Sequence, residues 1–201
     1  MYPLKAGAVF AIIMLFAASY RRDHHPFARF GPANQITTAR ALLVALVAGL
    51  VGEPRRPAIA AGAVASSLLA TLLDGVDGWT ARRTSMASDF GARFDMEVDA
   101  LLILTLAILT WQYEKAGAWV ILSGLIRYLF LAAGWLIPWL RQSLPPSRRR
   151  QAICIVQIVG LLLALTPAIS PPASARLAAA ALLALCYSFL ADTLWLSNRV
   201  L

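Results

Sequence analysis

Four aspartates have a spacing that would place them on shared helix faces. Asp74 and Asp77 are three residues apart, and Asp95 and Asp99 are four residues apart. Helix positions three and four residues apart share a face, so two antiparallel helices joined by a turn would bring all four carboxylates together. Such charges repel one another and are costly near hydrocarbon unless they are compensated. Protonation could relieve the repulsion, and so could divalent cations. Carboxylates without histidine or cysteine suit Mg²⁺ or Mn²⁺, so the pattern predicts a divalent-metal site.

The residues around these aspartates fit a site for a phosphorylated ligand. Gly78 and Ala81 keep the helix face after Asp77 small, which would let a bulky ligand lie close to the backbone. Arg82 offers a planar guanidinium suited to phosphate. Gly91 opens space one turn before Asp95. Enzymes that break phosphate ester and anhydride bonds commonly use metal ions together with arginine, so this segment predicts phosphate chemistry.

The rest of the chain is mostly apolar and must supply the helices that hold these residues. Of its 201 residues 60% are hydrophobic and only 14% are charged, whereas a soluble domain is about one-quarter charged. About 20 apolar residues cross a bilayer as a helix, and six stretches approach that length: 35–52, 57–78, 91–113, 117–140, 151–170 and 174–197. We therefore predict an all-α integral membrane protein built as a six-transmembrane-helix bundle.

The apolar segment 6–20 precedes these spans and is shorter. It could be a seventh crossing, an interfacial helix or an uncleaved signal-like anchor. We predict two regions: residues 1–33 form a hydrophobic N-terminal segment with a basic juxtamembrane stretch, and residues 34–201 form the transmembrane domain.

Basic residues in the loops predict the orientation of the bundle. On one side the predicted spans place Arg21, Arg22, Arg29, Arg40, Arg82, Arg83, Arg93, Arg141, Arg148, Arg149, Arg150 and Arg199. On the other side they place Arg55, Arg56, Lys115 and Arg176. The aspartate loop is therefore predicted to face the cytoplasm. The net charge of +8 indicates contact with anionic lipid headgroups, and no nucleic-acid partner is expected.

The aspartate segment follows the pattern D-x2-D-G-x2-A-R-x8-G-x3-D-x3-D without a gap. The eight matching residues are Asp74, Asp77, Gly78, Ala81, Arg82, Gly91, Asp95 and Asp99. This pattern resembles the signature of the CDP-alcohol phosphatidyltransferase family. The likeness covers roughly residues 34–199 and includes the six-span layout.

The resemblance implies phospholipid biosynthesis in a bacterial inner (cytoplasmic) membrane, by transfer of a phosphatidyl group from CDP-diacylglycerol to an alcohol with release of CMP. It implies two Mg²⁺ or Mn²⁺ ions held by Asp74, Asp77, Asp95 and Asp99. Asp95 and Asp99 would be the catalytic residues, with Asp99 as the general base toward the acceptor hydroxyl. A homodimer is typical of the family.

The resemblance also assigns residues to the cytidine diphosphate side of the site: Asp77, Gly78, Ala81, Arg82, Gly91, Asn34 and Thr37. Within "NQITTAR" (34–40), Asn34, Thr37 and Arg40 would share a helix face. A nucleotide-side role for this stretch stays open beside simple helix capping and lipid-headgroup contact.

Several arginines are candidates for binding the phosphate of the acceptor. Arg127 lies inside the apolar run "SGLIRYLFLA", where an arginine is costly and is usually functional. Arg148, Arg149 and Arg150 begin the fifth span and could either close over substrate or anchor to lipid. Arg40 is a further candidate.

The identity of the alcohol stays open at this stage. Glycerol 3-phosphate is favoured because small bacterial members of the family often use it. Those members commonly carry a lysine after the last aspartate and a lysine-threonine pair before the fifth span, where this chain has Ala100 and "SRRRQAICIVQ". Inositol phosphate, serine and other alcohols are therefore alternative acceptors.

Two other classes of membrane protein also use intramembrane acids. A membrane prenyltransferase acts on a lipid diphosphate with Mg²⁺, but such enzymes usually have two separated aspartate-rich motifs and more spans. A transporter would distribute its acids along a pathway and show an internal repeat. Here most of the acids fall in one hairpin, which favours the phosphatidyltransferase interpretation.

Overall fold

A computed structural model of the chain describes residues 1–24, 30–84, 88–142, 144–145 and 147–198, without the side chains of residues 22–24, 81 and 82. Every regular element in these ranges is helical. The described residues form seven α-helices: α1 Tyr2–His24, α2 Pro32–Ala48, α3 Pro57–Arg83, α4 Asp89–Gln112, α5 Leu122–Leu136, α6 Arg148–Leu165 and α7 Ala173–Ser197. The all-α expectation is therefore confirmed over the residues described.

Local sequence signals explain where the helices of the aspartate region begin. Pro32 and Pro57 are the first residues of α2 and α3, a position where the missing N–H costs nothing. Ser88 precedes α4, and its Oγ accepts a 3.1 Å hydrogen bond from the Gly91 N–H, as helix-capping serines do. Gly52, with φ of 78°, makes the turn between α2 and α3 in a conformation that favours glycine.

The chain divides into two compact units, of which the first is Met1–Thr105. Within it α1 packs against α2, and α2 packs against α3. The packed faces are rich in buried alanines, including Ala41, Ala45, Ala60, Ala63 and Ala70. Small side chains let helix backbones approach closely, which is how helices associate where lipid removes the hydrophobic driving force.

The second unit, Leu106–Leu201, is built around the pair α6 and α7. A Cβ placed on Gly160 of α6 would lie only 2.7 Å from the Ala181 Cβ of α7, so these backbones are in close approach. Lys115 secures the loop before α7, since its Nζ donates to the carbonyl of Ile169 at 2.5 Å and its own carbonyl accepts from Ser174 Oγ at 2.6 Å.

Four helical stretches in the described residues are long and apolar enough to cross a membrane: Tyr2–Arg21, Pro57–Thr80, Ala118–Leu136 and Ala173–Ser197. Three of them correspond to predicted spans, and the first is the segment whose role the sequence left open. Of the remaining helices, α2 has 17 residues, α4 begins with an acidic stretch and α6 begins with three arginines. The six-span bundle stays a prediction.

The predicted span 117–140 is interrupted. Two 3₁₀ turns, Ala118–Ile121 and Pro138–Arg141, flank α5. Ile137 is extended, with φ of −121° and ψ of 93°, because the ring of the following Pro138 disfavours helical geometry at the preceding residue.

Candidate functional site

Arg40 lies in the core of the first unit, and its guanidinium contacts all four aspartates of the motif. Nη1 donates to Asp77 Oδ2 at 2.8 Å and also to Asp95 Oδ1. Nη2 donates to Asp99 Oδ1 at 2.5 Å and lies 2.8 Å from Asp74 Oδ1. The arginine side chain is only 1% exposed. The structure thus brings the four carboxylates together, as their spacing predicts, around a cation supplied by α2.

Contacts between α2 and α3 fix the positions of the Arg40 and Asp77 side chains. Arg40 Nε donates to the Ala70 carbonyl at 3.1 Å, which fixes the direction of the guanidinium. One turn before Arg40, the Thr37 hydroxyl lies 2.9 Å from Asp77 Oδ2 and 3.1 Å from the Ala33 carbonyl. Asp77 is accordingly the most enclosed of the four acids, with 6% of its side chain exposed.

The other three acids are more accessible and converge on one another. Asp74, Asp95 and Asp99 each offer a carboxylate oxygen, and these oxygens all lie within 4.8 Å of one another. Their side chains are 35%, 36% and 18% exposed, so the cluster is open on one side. An all-carboxylate set of this kind fits a hard divalent cation such as Mg²⁺ or Mn²⁺.

The charges in the cluster do not cancel. When all four are ionised, the carboxylates around one guanidinium leave an excess of negative charge. Protonation of a carboxyl group or binding of divalent cations would relieve the repulsion between them. The arrangement can therefore attract divalent cations and, through them, the phosphates of a ligand.

Asn34 and Gly91 meet beside the cluster. Asn34 is buried, and its Nδ2 donates to the Phe30 carbonyl at 2.5 Å. A Cβ placed on Gly91 would lie 2.9 Å from Asn34 Oδ1, so only glycine fits there without displacing the amide. Asn34, Thr37 and Arg40 share the buried face of α2, and this sharing of a face is what the sequence predicts.

The remaining residues predicted on the nucleotide side are in the last turns of α3. Gly78 follows Asp77 and is half-buried. Ala81 and Arg82 belong to the helix, but their side chains lie outside what the structure describes.

Two of the predicted acceptor-side arginines form a separate cluster within the second unit. Arg149 Nη2 lies 2.5 Å from Asp192 Oδ1, and Arg150 Nη1 lies 3.2 Å from the same oxygen. These side chains line a cavity of about 320 Å³ between the start of α6 and the end of α7. Arg148 is exposed, and Arg127 is half-buried in α5.

Sequence reasoning missed the part that Asp192 plays in this cluster. Asp192 is only 6% exposed and is the partner of both arginines. It is also the only acidic residue after Glu114. A lone acid within an apolar helix implies a basic partner, and that signal could have found it.

Comparison with known proteins defines the class. Residues 30–191, more than half of the chain, match the family model for CDP-alcohol phosphatidyltransferases. The chain belongs to the CDP-alcohol phosphatidyltransferase family, and the resemblance noted in the aspartate motif is confirmed.

The chain is also similar to one particular member of known name, the CDP-diacylglycerol–glycerol-3-phosphate 3-phosphatidyltransferase of Bacillus subtilis (strain 168). The two are 27% identical over 104 residues, which cover 46% of this chain and 54% of that protein. The chain thus spans about half the length of the relative that it matches. No solved structure matches the chain.

Proposed function

We propose that this protein transfers a phosphatidyl group from CDP-diacylglycerol to an alcohol, releasing CMP, as a step of phospholipid biosynthesis. The observation that carries the proposal is the convergence of Asp74, Asp95 and Asp99 within 4.8 Å, inside a motif that belongs to the family. Glycerol 3-phosphate is the favoured acceptor, because it appears in the name of the Bacillus subtilis relative. Inositol phosphate, serine and other alcohols are the alternatives.

Asp74, Asp77, Asp95 and Asp99 would hold two divalent cations, Mg²⁺ or Mn²⁺. The donor chemistry supports this, since all four side chains are carboxylates and three of them converge. When bound, such ions neutralise charge on the diphosphate and on the departing CMP. Arg40 would act as a third, internal cation that keeps the carboxylates together, and a direct phosphate contact by Arg40 stays a prediction.

Asp99 is proposed as the general base. It would take the proton of the acceptor hydroxyl while that oxygen forms a bond to the phosphorus bearing the diacylglycerol. The bond between this phosphorus and the oxygen of CMP breaks, and CMP leaves with the electron pair. Arg40 Nη2 donates to Asp99 Oδ1, which orients the carboxylate for this task. Asp95 would act beside it as the second catalytic residue.

The donor nucleotide would lie along α2, next to the end of α3 and the start of α4. The Thr37 hydroxyl orients Asp77 through a 2.9 Å contact with Oδ2, and the Asn34 side chain packs next to Gly91. We assign the cytidine diphosphate to the surface formed by these residues together with Gly78, Ala81 and Arg82.

The acceptor would be recognised by arginines. Arg149 and Arg150 line a cavity large enough for a small phosphorylated alcohol. Arg127 and Arg148 are further candidates for contact with the acceptor phosphate. An anionic acceptor fits this group better than choline does, because the arginines outnumber Asp192.

We propose that α2 to α7 form the six spans of the family domain, with the motif facing the cytoplasm at the bacterial inner membrane and a homodimer as the assembly. The division between residues 1–33 and residues 34–201 stays a prediction. The apolar helices and the family membership support a membrane location.

The test is CMP release by purified protein given CDP-diacylglycerol, Mg²⁺ or Mn²⁺ and a panel of alcohols. We expect release with at least one acceptor, and with glycerol 3-phosphate first. Asp95→Asn and Asp99→Asn should each abolish release while the protein still folds. Asp89→Asn is the matched control, because Asp89 is an exposed acid at the start of the same helix.

Wild-type CMP release by the Asp99→Asn variant would overturn the assignment of the base. Turnover of a prenyl diphosphate, with no CMP from any acceptor, would move the protein to the prenyltransferase class.

A further inference from the structure

The helix α1 precedes the family match, which begins at residue 30, and it contributes nothing to the aspartate motif. Its amino-terminal end is nevertheless tied to the end of α2. A Cβ placed on Gly49 would lie 3.0 Å from Ala6 Cβ and 3.1 Å from Tyr2 Cε2, so the two backbones nearly touch. Lys5 Nζ donates to the Val51 carbonyl at 3.0 Å and to Glu53 Oε1 at 2.8 Å.

The opposite end of α1 reaches the start of α4. The Arg93 guanidinium carbon lies 5.0 Å from the centroid of the Tyr20 ring, within the range of a cation–π contact. The Arg21 guanidinium stands in the same way over Phe30, at 5.3 Å. Phe30 in turn contacts Phe90 of α4, with ring centroids 6.1 Å apart. Two contacts thus connect this end of α1 with the first turns of α4.

Between these ends α1 runs antiparallel to α2 along one face. Among the α1 side chains that the structure describes, Ala6 and Ala17 are buried, at 5% and 3% exposure, and they lie eleven positions apart on that face. Leu4, Ile12 and Leu15 on other faces are 74%, 66% and 68% exposed. With 23 residues the helix is about 34 Å long, which is enough to cross the hydrocarbon layer.

We propose that α1 is a membrane-crossing brace that positions the start of α4, and that Tyr20 is the positioning residue at the point of contact. Tyr20 touches Arg93, which lies two residues before Asp95. The first turn of a helix has no preceding turn to support it, so contacts from α1 would fix the direction in which α4 presents Asp95 and Asp99. Calling these two acids metal ligands rests on the proposed function.

The first measurement is hydrogen–deuterium exchange of the peptide amides of residues 90–99, made on the full chain in nanodiscs without added metal. We expect Tyr20→Ala and Arg93→Gln each to speed exchange in this stretch about two- to fivefold, the factor corresponding to a cation–π contact of about 0.5–1 kcal/mol. The double variant should be no faster than either single one. Tyr20→Phe, which keeps the ring face, should exchange as the wild type does.

Leu15→Ala is the control for a general effect of altering α1, because Leu15 is on the same helix and points away from α2. It should leave the α4 amides unchanged. Arg93 is exposed, so Arg93→Gln tests the same contact without disturbing the core. Wild-type exchange in both Tyr20→Ala and Arg93→Gln, or strictly multiplicative effects of the two, would overturn the proposal.

The second measurement is direct titration with Mn²⁺, followed by the electron paramagnetic resonance of the free ion. Tyr20→Ala should weaken Mn²⁺ binding by the same two- to fivefold, whereas Tyr20→Phe and Leu15→Ala should not. If the wild type binds no Mn²⁺ while the exchange results hold, the metal assignment fails and the brace stands. If Mn²⁺ binds equally to all variants and exchange is also unchanged, the brace fails and the proposed function stands.

Discussion

The Asn34 side chain leaves room for glycine alone at position 91, since a Cβ on that residue would lie 2.9 Å from Asn34 Oδ1. The relationship joins a residue near the start of α2 to one in the first turn of α4. It gives the glycine of the family motif a structural reason that does not depend on any ligand.

Gly91→Ala should therefore displace either the Asn34 amide or the start of α4. We expect a loss of about 1 kcal/mol in stability, the low end of the cost of overpacking, because Gly91 is half-buried and the Asn34 amide can shift, with a raised KM for CDP-diacylglycerol. The measurements are thermal unfolding in detergent and initial rates of CMP release. Gly62→Ala is the matched control, because nothing lies within 4 Å of a Cβ there. Equal behaviour of the two variants would refute the packing argument.

Arg40→Met should expose the carboxylates to one another's repulsion. Removing one partner of a buried ion pair costs about 3–5 kcal/mol, so we expect a large drop in Tm when the metal is chelated. Added Mn²⁺ should restore part of this Tm, because it supplies the missing positive charge. The Tm of Arg40→Lys should lie between the Tm of the wild type and that of Arg40→Met, because a single ammonium group cannot donate hydrogen bonds to two pairs of carboxylates as the guanidinium does. A Tm for Arg40→Met that is low and does not respond to Mn²⁺ would contradict the internal-cation role.

Arg149→Gln should weaken acceptor binding. We expect the KM for an anionic acceptor to rise about tenfold, which corresponds to about 1.4 kcal/mol, with the KM for CDP-diacylglycerol unchanged. Arg176→Gln is the control, because Arg176 is an exposed arginine of the same unit and has no proposed role in binding. An increase in the KM for CDP-diacylglycerol alone would show that Arg149 contacts the donor and not the acceptor.

The Lys5–Glu53 pair should make stability depend slightly on pH. The hydrogen bond from Lys5 lowers the pKa of the Glu53 carboxyl below its ordinary value of 4.5. A lowered pKa in the folded state means that the stabilisation is present above pH 4.5 and is lost as the pH falls through the folded-state value. The Tm difference between wild type and Glu53→Gln should therefore shrink on acidification. If the Tm difference between wild type and Glu53→Gln grows below pH 4.5, the Lys5–Glu53 pair is not the cause of the pH dependence.

The sequence predicts the meeting of the four aspartates because helical spacing determines which residues share a face, and the motif spans one helix hairpin. It does not predict that Arg40 reaches all of them. Spacing places Arg40 on the face of α2 with Asn34 and Thr37, but depth and partner depend on how α2 packs against α3. The contact of Arg149 with Asp192 is missed for the same reason, since residues 43 positions apart meet only through the packing of α6 on α7.

The break in the predicted span 117–140 could have been anticipated, because Pro138 disfavours helical geometry at the residue before it. The shortness of α2 could not, because its apolar composition continues to Val51 while the chain already turns at Gly49. The hydropathy of a segment reports where lipid can surround it. The end of a helix depends on local backbone geometry and on neighbours that approach it.

The position of Arg40 within the chain has a consequence for biosynthesis. It lies on α2, and every one of its acidic partners lies on α3 or α4. The guanidinium is therefore synthesised before any of the four carboxylates, and each carboxylate can pair with it as soon as α3 and α4 pack against α2. The aspartate cluster can thus be assembled before a metal ion has been bound.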